Sequence, residues 1–459
     1  MKTVSILIAV VFVALVSFNL AKLDDRLRNI LKQHKVEKLE QPAAVNPAKV
    51  ALGRVLFFDK ILSGNKDVSC ATCHHPGLRS GDSLALSIGV GGTGLGLWRK
   101  MGEGRTRIPR NSPEIFNRGA SEWHTMFWDS RVSGTVATGF KTPADEKLPE
   151  GFDNVLAVQA MFPVTSREEM RGEIGDKDIF NEQNELALIS DAVPQSVWQA
   201  IMERLLAIPE YQELFKAAYP DTPKENLGFQ HAANAIAAFE IEAFTFTNSP
   251  WDRYLAGNNK SISNAAKRGA LLFYGDANCV ACHSGTLMTD QKHHNIGIPQ
   301  FGPGKENAIP FDIGRFAETG DKQDRFAFRT PPLRNVTLTG PWMHNGAYYQ
   351  LEDAIAHHLD AAKALRQYDL GQLEPALRET YKGEEKTLER ILETLDPLVA
   401  TPGALEESEL QDLMAFLSTL TDPAALQLNL HIPPKVPSGL PVENMIDRKN
   451  KNDYNADGK

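Results

Sequence analysis

The chain has 459 residues, 42% of them hydrophobic and 23% charged, a globular composition with length for two domains that have cores of their own, which excludes disorder as the governing state. Its net charge of −9 and the lack of any long basic run exclude a nucleic-acid binder, because phosphate contacts need clustered cations.

In residues 1–21, Lys2 precedes a nearly unbroken apolar run from Val4 to Leu20, and no acidic residue appears before Asp24, a pattern that predicts an export signal. A cut after Ala21 would leave Asn19 and Ala21 as the recognition pair, a poor small-residue match, so a cleaved signal and a retained N-terminal anchor both stay open.

All four cysteines fall into two Cys-x-x-Cys-His units, Cys70/Cys73/His74 and Cys279/Cys282/His283, leaving none for a disulfide. This pentapeptide attaches haem: the thiols add to its vinyl groups and the adjacent imidazole becomes the proximal iron ligand. Zinc pairs would stand closer together in sequence, and a thioredoxin-like dithiol would not occur twice with matching flanks. The flanks do match. Gly53, Leu56, Phe57 and Phe58 precede the first motif as Gly269, Leu272, Phe273 and Tyr274 precede the second, each set closing an amphipathic helical pattern.

Downstream of each motif lies a Gly- and Pro-rich stretch, 77–113 and 285–332, predicted as a loop that wraps a cofactor. Helical patterns return over 197–207, 232–246, 351–365 and 407–420, and residues 251–263 read as the interdomain connection. The predicted fold is therefore mainly α: two cytochrome c-like haem domains, 22–256 and 257–430, related by internal duplication and carrying long haem-wrapping loops, followed by an extended or disordered tail over 431–459.

Function turns on the sixth position of each iron, since a saturated iron moves electrons whereas an open one binds peroxide or oxygen. Between His74 and Asn111 the only further histidine is His75, which adjoins the proximal ligand, and the only methionine is Met101, so no obvious local distal ligand is evident. Past the second motif, His357 and His358 lie on a predicted helix that could return one ring to the iron, and spacing leaves the choice between them open.

Further residues carry a resemblance. They are Leu52-Gly53-Arg54, Phe57-Phe58-Asp59, Leu62-Ser63-Gly64, Pro109-Arg110-Asn111-Ser112-Pro113, Phe127-Trp128-Asp129-Ser130-Arg131 and Pro163 with Glu168-Glu169-Met170. The second half adds Gly314-Arg315-Phe316, Pro332-Leu333-Arg334-Asn335 and the run from Thr339 through Trp342-Met343-His344 to Gly346. Over residues 46–423 the chain resembles the bacterial diheme cytochrome c peroxidase superfamily, and within it the MauG-like branch more than the typical peroxidases.

The resemblance implies two covalently bound haem c groups, the N-terminal one, on His74, reactive toward hydrogen peroxide and the C-terminal one, on His283, relaying electrons. It implies Glu169 as distal carboxylate, Gln159 and Pro163 as distal-pocket residues, Trp128 between the haems, and Asn111, Thr339 and Pro341 as oxygen ligands of a calcium ion. Two departures matter. The loop 89–96 lacks the histidine that closes the reactive iron in typical members, which implies a haem open without reductive activation, and the family's methionine or tyrosine on the second iron is replaced by His358. A bis-histidine haem has a lower potential than a histidine–methionine one.

The function implied is a periplasmic peroxidase drawing electrons from a small cytochrome c or cupredoxin. The alternative is a MauG-like oxidase that modifies residues of a partner protein through a high-valent diheme state. A non-enzymatic electron-transfer or sensor cytochrome is disfavoured by Glu169 and Gln159. A homodimer is left open, and the inserted stretches 134–153 and 171–194 read as surface excursions near the reactive pocket.

Overall fold

The structure, a computed structural model, describes residues 22–305 and 308–443, so the apolar leader and the last sixteen positions lie outside the described residues. It is mainly helical, with one three-stranded and one two-stranded antiparallel sheet, and no described helix is long and apolar enough to cross a membrane.

The helix Pro47–Phe58 begins where the Asn46 side chain accepts the Ala48 and Lys49 N–H groups and Pro47 supplies a preset φ. It buries Leu52, Leu56, Phe57 and Phe58 against the helix Phe229–Phe244, with the Phe57 and Phe239 rings 5.3 Å apart. The crossing is so close at Gly53 that a Cβ there would lie 1.8 Å from the Ala235 carbonyl oxygen. Only hydrogen fits.

The second half repeats the device. The helix Asn264–Tyr274, capped by Ser263, packs on the helix Glu407–Ser418, and a Cβ on Gly269 would lie 1.9 Å from the Asp412 carbonyl oxygen. Phe273 and Phe416 meet at 5.2 Å. Each crossing delivers the chain into its Cys-x-x-Cys-His unit, where the His74 and His283 N–H groups each donate to the first cysteine's carbonyl at 2.9 Å.

Packing departs from the sequence-based boundaries at both ends. Helical residues 22–33 bury Leu27 and Leu31 in the second core, where Asp24 pairs with Lys267 at 2.8 Å and Arg28 donates to the Tyr254 carbonyl at 2.6 Å. Conversely Ala425, Leu428 and Val436 enter the first core. The segment 251–263 is only partly a connection: it starts inside the helix Pro250–Leu255, because Trp251 stacks on Tyr254 and meets Phe416 at 4.9 Å. The single helix expected over 351–365 is two, Leu351–Leu359 and Ala361–Arg366, broken at Asp360, whose side chain caps the second.

Beyond His431 the chain runs as an extended arm, and it is ordered by docking on the first half. Arg54 donates to the His431 carbonyl at 2.8 Å, and Ser438 Oγ donates to Asp59 at 2.6 Å. Glu443 accepts from Thr72 Oγ1 at 2.6 Å and pairs with Lys60 at 3.2 Å, so the arm clasps the first haem motif itself.

Candidate active site

In the first motif Cys70–Cys73 form one helical turn, and His74 Nδ1 lies 3.2 Å from the Ser80 carbonyl. A carbonyl only accepts, so Nδ1 carries the proton and Nε2 keeps the lone pair a metal ligand needs. In the second motif His283 Nδ1 makes the same bond to the Met288 carbonyl at 3.2 Å. Burial lowers both imidazoles to about 4, the neighbouring His358 adding to the effect at His283, so both are neutral at ordinary pH, the form a metal ligand needs. The four cysteines form no disulfide, which leaves all four sulfurs for covalent addition to haem.

The neighbours of these imidazoles differ. The His283 and His358 rings are tilted 59° to each other with centroids 6.4 Å apart. A metal ion bound by both imidazoles would need about this spacing, given metal–nitrogen bonds of about 2 Å. His358 Nδ1 is taken by the Ala354 carbonyl at 2.7 Å, one turn back on its own helix, which leaves Nε2 for a metal. His357 has no nitrogen to spare, since Tyr348 and the Ile296 carbonyl occupy both at 2.8 and 2.6 Å.

Near the first motif lie residues from two loops. Arg99, buried, donates to the carbonyls of Ile88, Gly89 and Gly94 at 2.6, 2.7 and 2.8 Å and so shapes the histidine-free stretch 89–96. Gly89 then approaches the turn Arg167–Arg171 so closely that a Cβ would lie 1.9 Å from the Glu168 carbonyl oxygen, and Val90 N–H donates to the Glu169 carbonyl at 3.0 Å. That turn is a single π-turn, a form common at functional sites. It splits the acidic pair: Glu168 is exposed, whereas Glu169 is half-buried. Burial raises the Glu169 carboxyl, Arg131 opposes this and Glu168 adds to it. Burial also pushes the Cys73 thiol up, with Asp82 and Glu169 contributing, so the Glu169 carboxylate sits within electrostatic reach of the first motif. Gln159 closes the helix Val155–Gln159 and Pro163 opens the next turn, both half-buried on the segment that leads to Glu169.

Trp128 is buried between the halves. Its Nε1 donates to the Asn111 carbonyl at 3.0 Å, while its own carbonyl accepts from Arg329 N–H at 2.8 Å. Beside it Arg110 forks onto Asp312 at 2.6 and 2.9 Å and reaches Asp129 at 2.5 Å. Burial opposes ionisation of both carboxyls, but Arg110, with Arg131 and Lys305 beside Asp129, holds them below the usual range. Removing one partner of such a buried network costs about 3–5 kcal/mol, because the others are left uncompensated.

A small cavity near the same junction is lined by Asp82, Asn111, Ser112, Glu114, Thr339 and Gly340, with Pro341 next in the chain. Asp82 is 1% exposed, its Oδ2 has no hydrogen-bond partner, and burial lifts it to about 6. An orphaned carboxylate oxygen among hydroxyls and carbonyls suits a hard cation. Neither Asp82 nor Arg99 stands out in the sequence, because their partners come from packing.

A family model described as di-haem cytochrome c peroxidase matches residues 47–260. The methylamine utilization protein MauG of Methylorubrum extorquens is 32% identical over 85% of this chain and 84% of its own length. The cytochrome c551 peroxidase of Pseudomonas aeruginosa is 32% identical over 66% of this chain and 70% of its own. Among solved structures, a MauG-like protein associated with microbial copper homeostasis shares 26% identity and superimposes with a TM-score of 0.58 over 85% of this chain and 94% of that one. Two haem-motif histidines with neutral Nε2 atoms, a shared fold and similarity through both halves converge: the chain belongs to the di-haem cytochrome c peroxidase and MauG family of oxidoreductases, with two haem groups.

Proposed function

We propose that the protein reduces hydrogen peroxide at a haem held by Cys70, Cys73 and His74, with electrons passing through a second haem held by Cys279, Cys282, His283 and His358. The observation that carries this reading is the inequality of the two motifs: one has a second imidazole 6.4 Å away, the other has the Glu169 carboxyl within electrostatic reach and a histidine-free loop beside that carboxyl's turn. Bound haem supplies the iron for peroxide and the redox levels that hold electrons. Glu169 takes the proton from one peroxide oxygen and returns it to the departing one, so that one peroxide, two electrons and two protons leave as two waters. Gln159 and Pro163 shape that face, and Trp128, held by both halves, carries electrons between the sites. With no histidine in the loop 89–96, no reductive activation step is needed.

Both haems are attached covalently, as the cysteine pairs and their flanks support. The glycine crossings at Gly53 and Gly269 and the matched imidazole–carbonyl bonds support an internal duplication, with domains 22–256 and 257–430 exchanging their ends and the loops 77–113 and 285–332 wrapping the haems. Calcium at Asn111, Thr339 and Pro341 is supported by the orphaned Asp82 oxygen beside them. The leader supports export to the periplasm, where a small cytochrome c or cupredoxin would be the donor.

A second reading rests on the extent of the match to MauG: oxidation of residues on a partner protein. Sequential-mixing stopped flow separates the two. Fully ferric protein, given stoichiometric peroxide and then a reduced small cytochrome c, should oxidise the donor promptly. An oxidised state that persists and drains slowly into small donors favours the partner-protein reading, and inertness toward peroxide removes both.

A further inference from the structure

Tyr348 is buried behind the second haem motif, and its hydroxyl lies 2.8 Å from His357 Nδ1. The direction of that bond is fixed. His357 Nε2 faces the Ile296 carbonyl at 2.6 Å, a group that only accepts, so Nε2 carries the proton and Nδ1 takes the phenolic one. A phenol already bonded to a base can lose an electron without becoming a radical cation, because its proton crosses the existing bond as the electron departs and the positive charge comes to rest on the base.

Rings continue on both sides of this pair. The His357 and Tyr348 centroids are 5.4 Å apart, His357 and His358 are 6.3 Å apart, and His358 neighbours His283. Outward, Tyr348 meets Tyr368 at 5.6 Å and Tyr368 meets Tyr381 at 5.9 Å, where Tyr381 is half-buried at the surface. Tyr368 donates to the Ala347 carbonyl at 2.5 Å, which is no base, so the tyrosine equipped for proton-coupled oxidation is Tyr348. Phenylalanine there would leave the buried His357 Nδ1 without a partner, so the hydroxyl both holds that ring and offers it a proton.

We infer that Tyr348 is a redox-active tyrosine with His357 as its proton acceptor, and that Tyr368 and Tyr381 extend it to the surface as a route for electrons into the second haem site. The inference rests on the peroxide reading above, which supplies the oxidant. One oxidising equivalent from peroxide reduction withdraws an electron from Tyr348, and the phenolic proton moves to His357 Nδ1, leaving a neutral phenoxyl ring. An electron arriving through Tyr381 and Tyr368 then restores the phenol as the proton returns.

The test is freeze-quench EPR of the ferric holoprotein after one equivalent of hydrogen peroxide. The expected result is an organic radical signal that narrows when the protein is grown with ring-deuterated tyrosine. It should vanish in Tyr348→Phe that keeps the wild-type ferric absorption spectrum, and live longer in Tyr381→Phe when reduced donor is added. Peroxide consumed with no radical, a radical indifferent to deuteration, or one unchanged in Tyr348→Phe overturns the assignment and leaves the peroxide reading standing. An unchanged lifetime in Tyr381→Phe overturns the surface route, and protein that consumes no peroxide overturns the peroxide reading together with this inference.

Discussion

The two haem motifs are delivered by the same scaffold and surrounded by different chemistry. Each sits after a helix that crosses its partner at a glycine with no room for a Cβ, and each histidine gives its Nδ1 proton to a backbone carbonyl. Their surroundings diverge. His358 is presented by a helix that follows the second motif, whereas Glu169 is presented by a π-turn that the glycine-rich loop 89–96 backs, with Arg99 as its strut. Under the proposed function, holding a cofactor would be a local matter of pentapeptide and crossing helices, while the choice between relaying electrons and meeting peroxide would be made by segments far along the chain.

Replacing His358 with alanine should erase the difference and is the largest effect expected. Ferric EPR of the wild-type protein should show one low-spin and one high-spin haem, and His358→Ala should convert the low-spin signal. A low-spin signal that survives would mean that another residue reaches the second site. Glu169→Gln acts on the other side of the comparison: both resting spectra should stay intact while the peroxide reaction slows by about 10²–10⁴-fold, the usual contribution of a positioned acid–base group. Equal loss in Glu168→Gln would assign the proton transfer to the wrong member of the pair.

What could be read from the sequence follows the same division. The two pentapeptides, the matched apolar flanks and the helices Pro194–Leu206, Phe229–Phe244 and Glu407–Ser418 were legible because they depend on spacing within a few turns, whereas Pro209–Ala218 and Glu385–Leu392 were not. The ends were not: Leu27 and Val436 each bury in the core of the opposite half, and nothing local to either residue encodes its destination. Likewise, adjacent histidines on one helix look alike in sequence, and only Tyr348 and Ile296, brought in by tertiary packing, use up both nitrogens of His357. Asp82, Arg99 and the Arg110–Asp312 fork are hidden for the same reason: an unpaired or forked charge can be recognised only once its surroundings exist.

The smallest expected effect is also the most specific to one site. Burial raises the Glu169 carboxyl above its ordinary value of 4.5, and the proton-accepting form is the ionised one. The rate of the peroxide reaction should therefore climb as pH rises through that raised value and fall off, on acidification, at a higher pH than an exposed carboxylate would give. Arg131 and its guanidinium oppose the rise, so Arg131→Gln should move the acid limb further up, and Glu169→Gln should flatten it. A limb that keeps its position in Arg131→Gln and its shape in Glu169→Gln would show that the titrating group lies elsewhere. The natural place to look would then be Asp82, which burial lifts to about 6 and which also lies within electrostatic reach of the first motif.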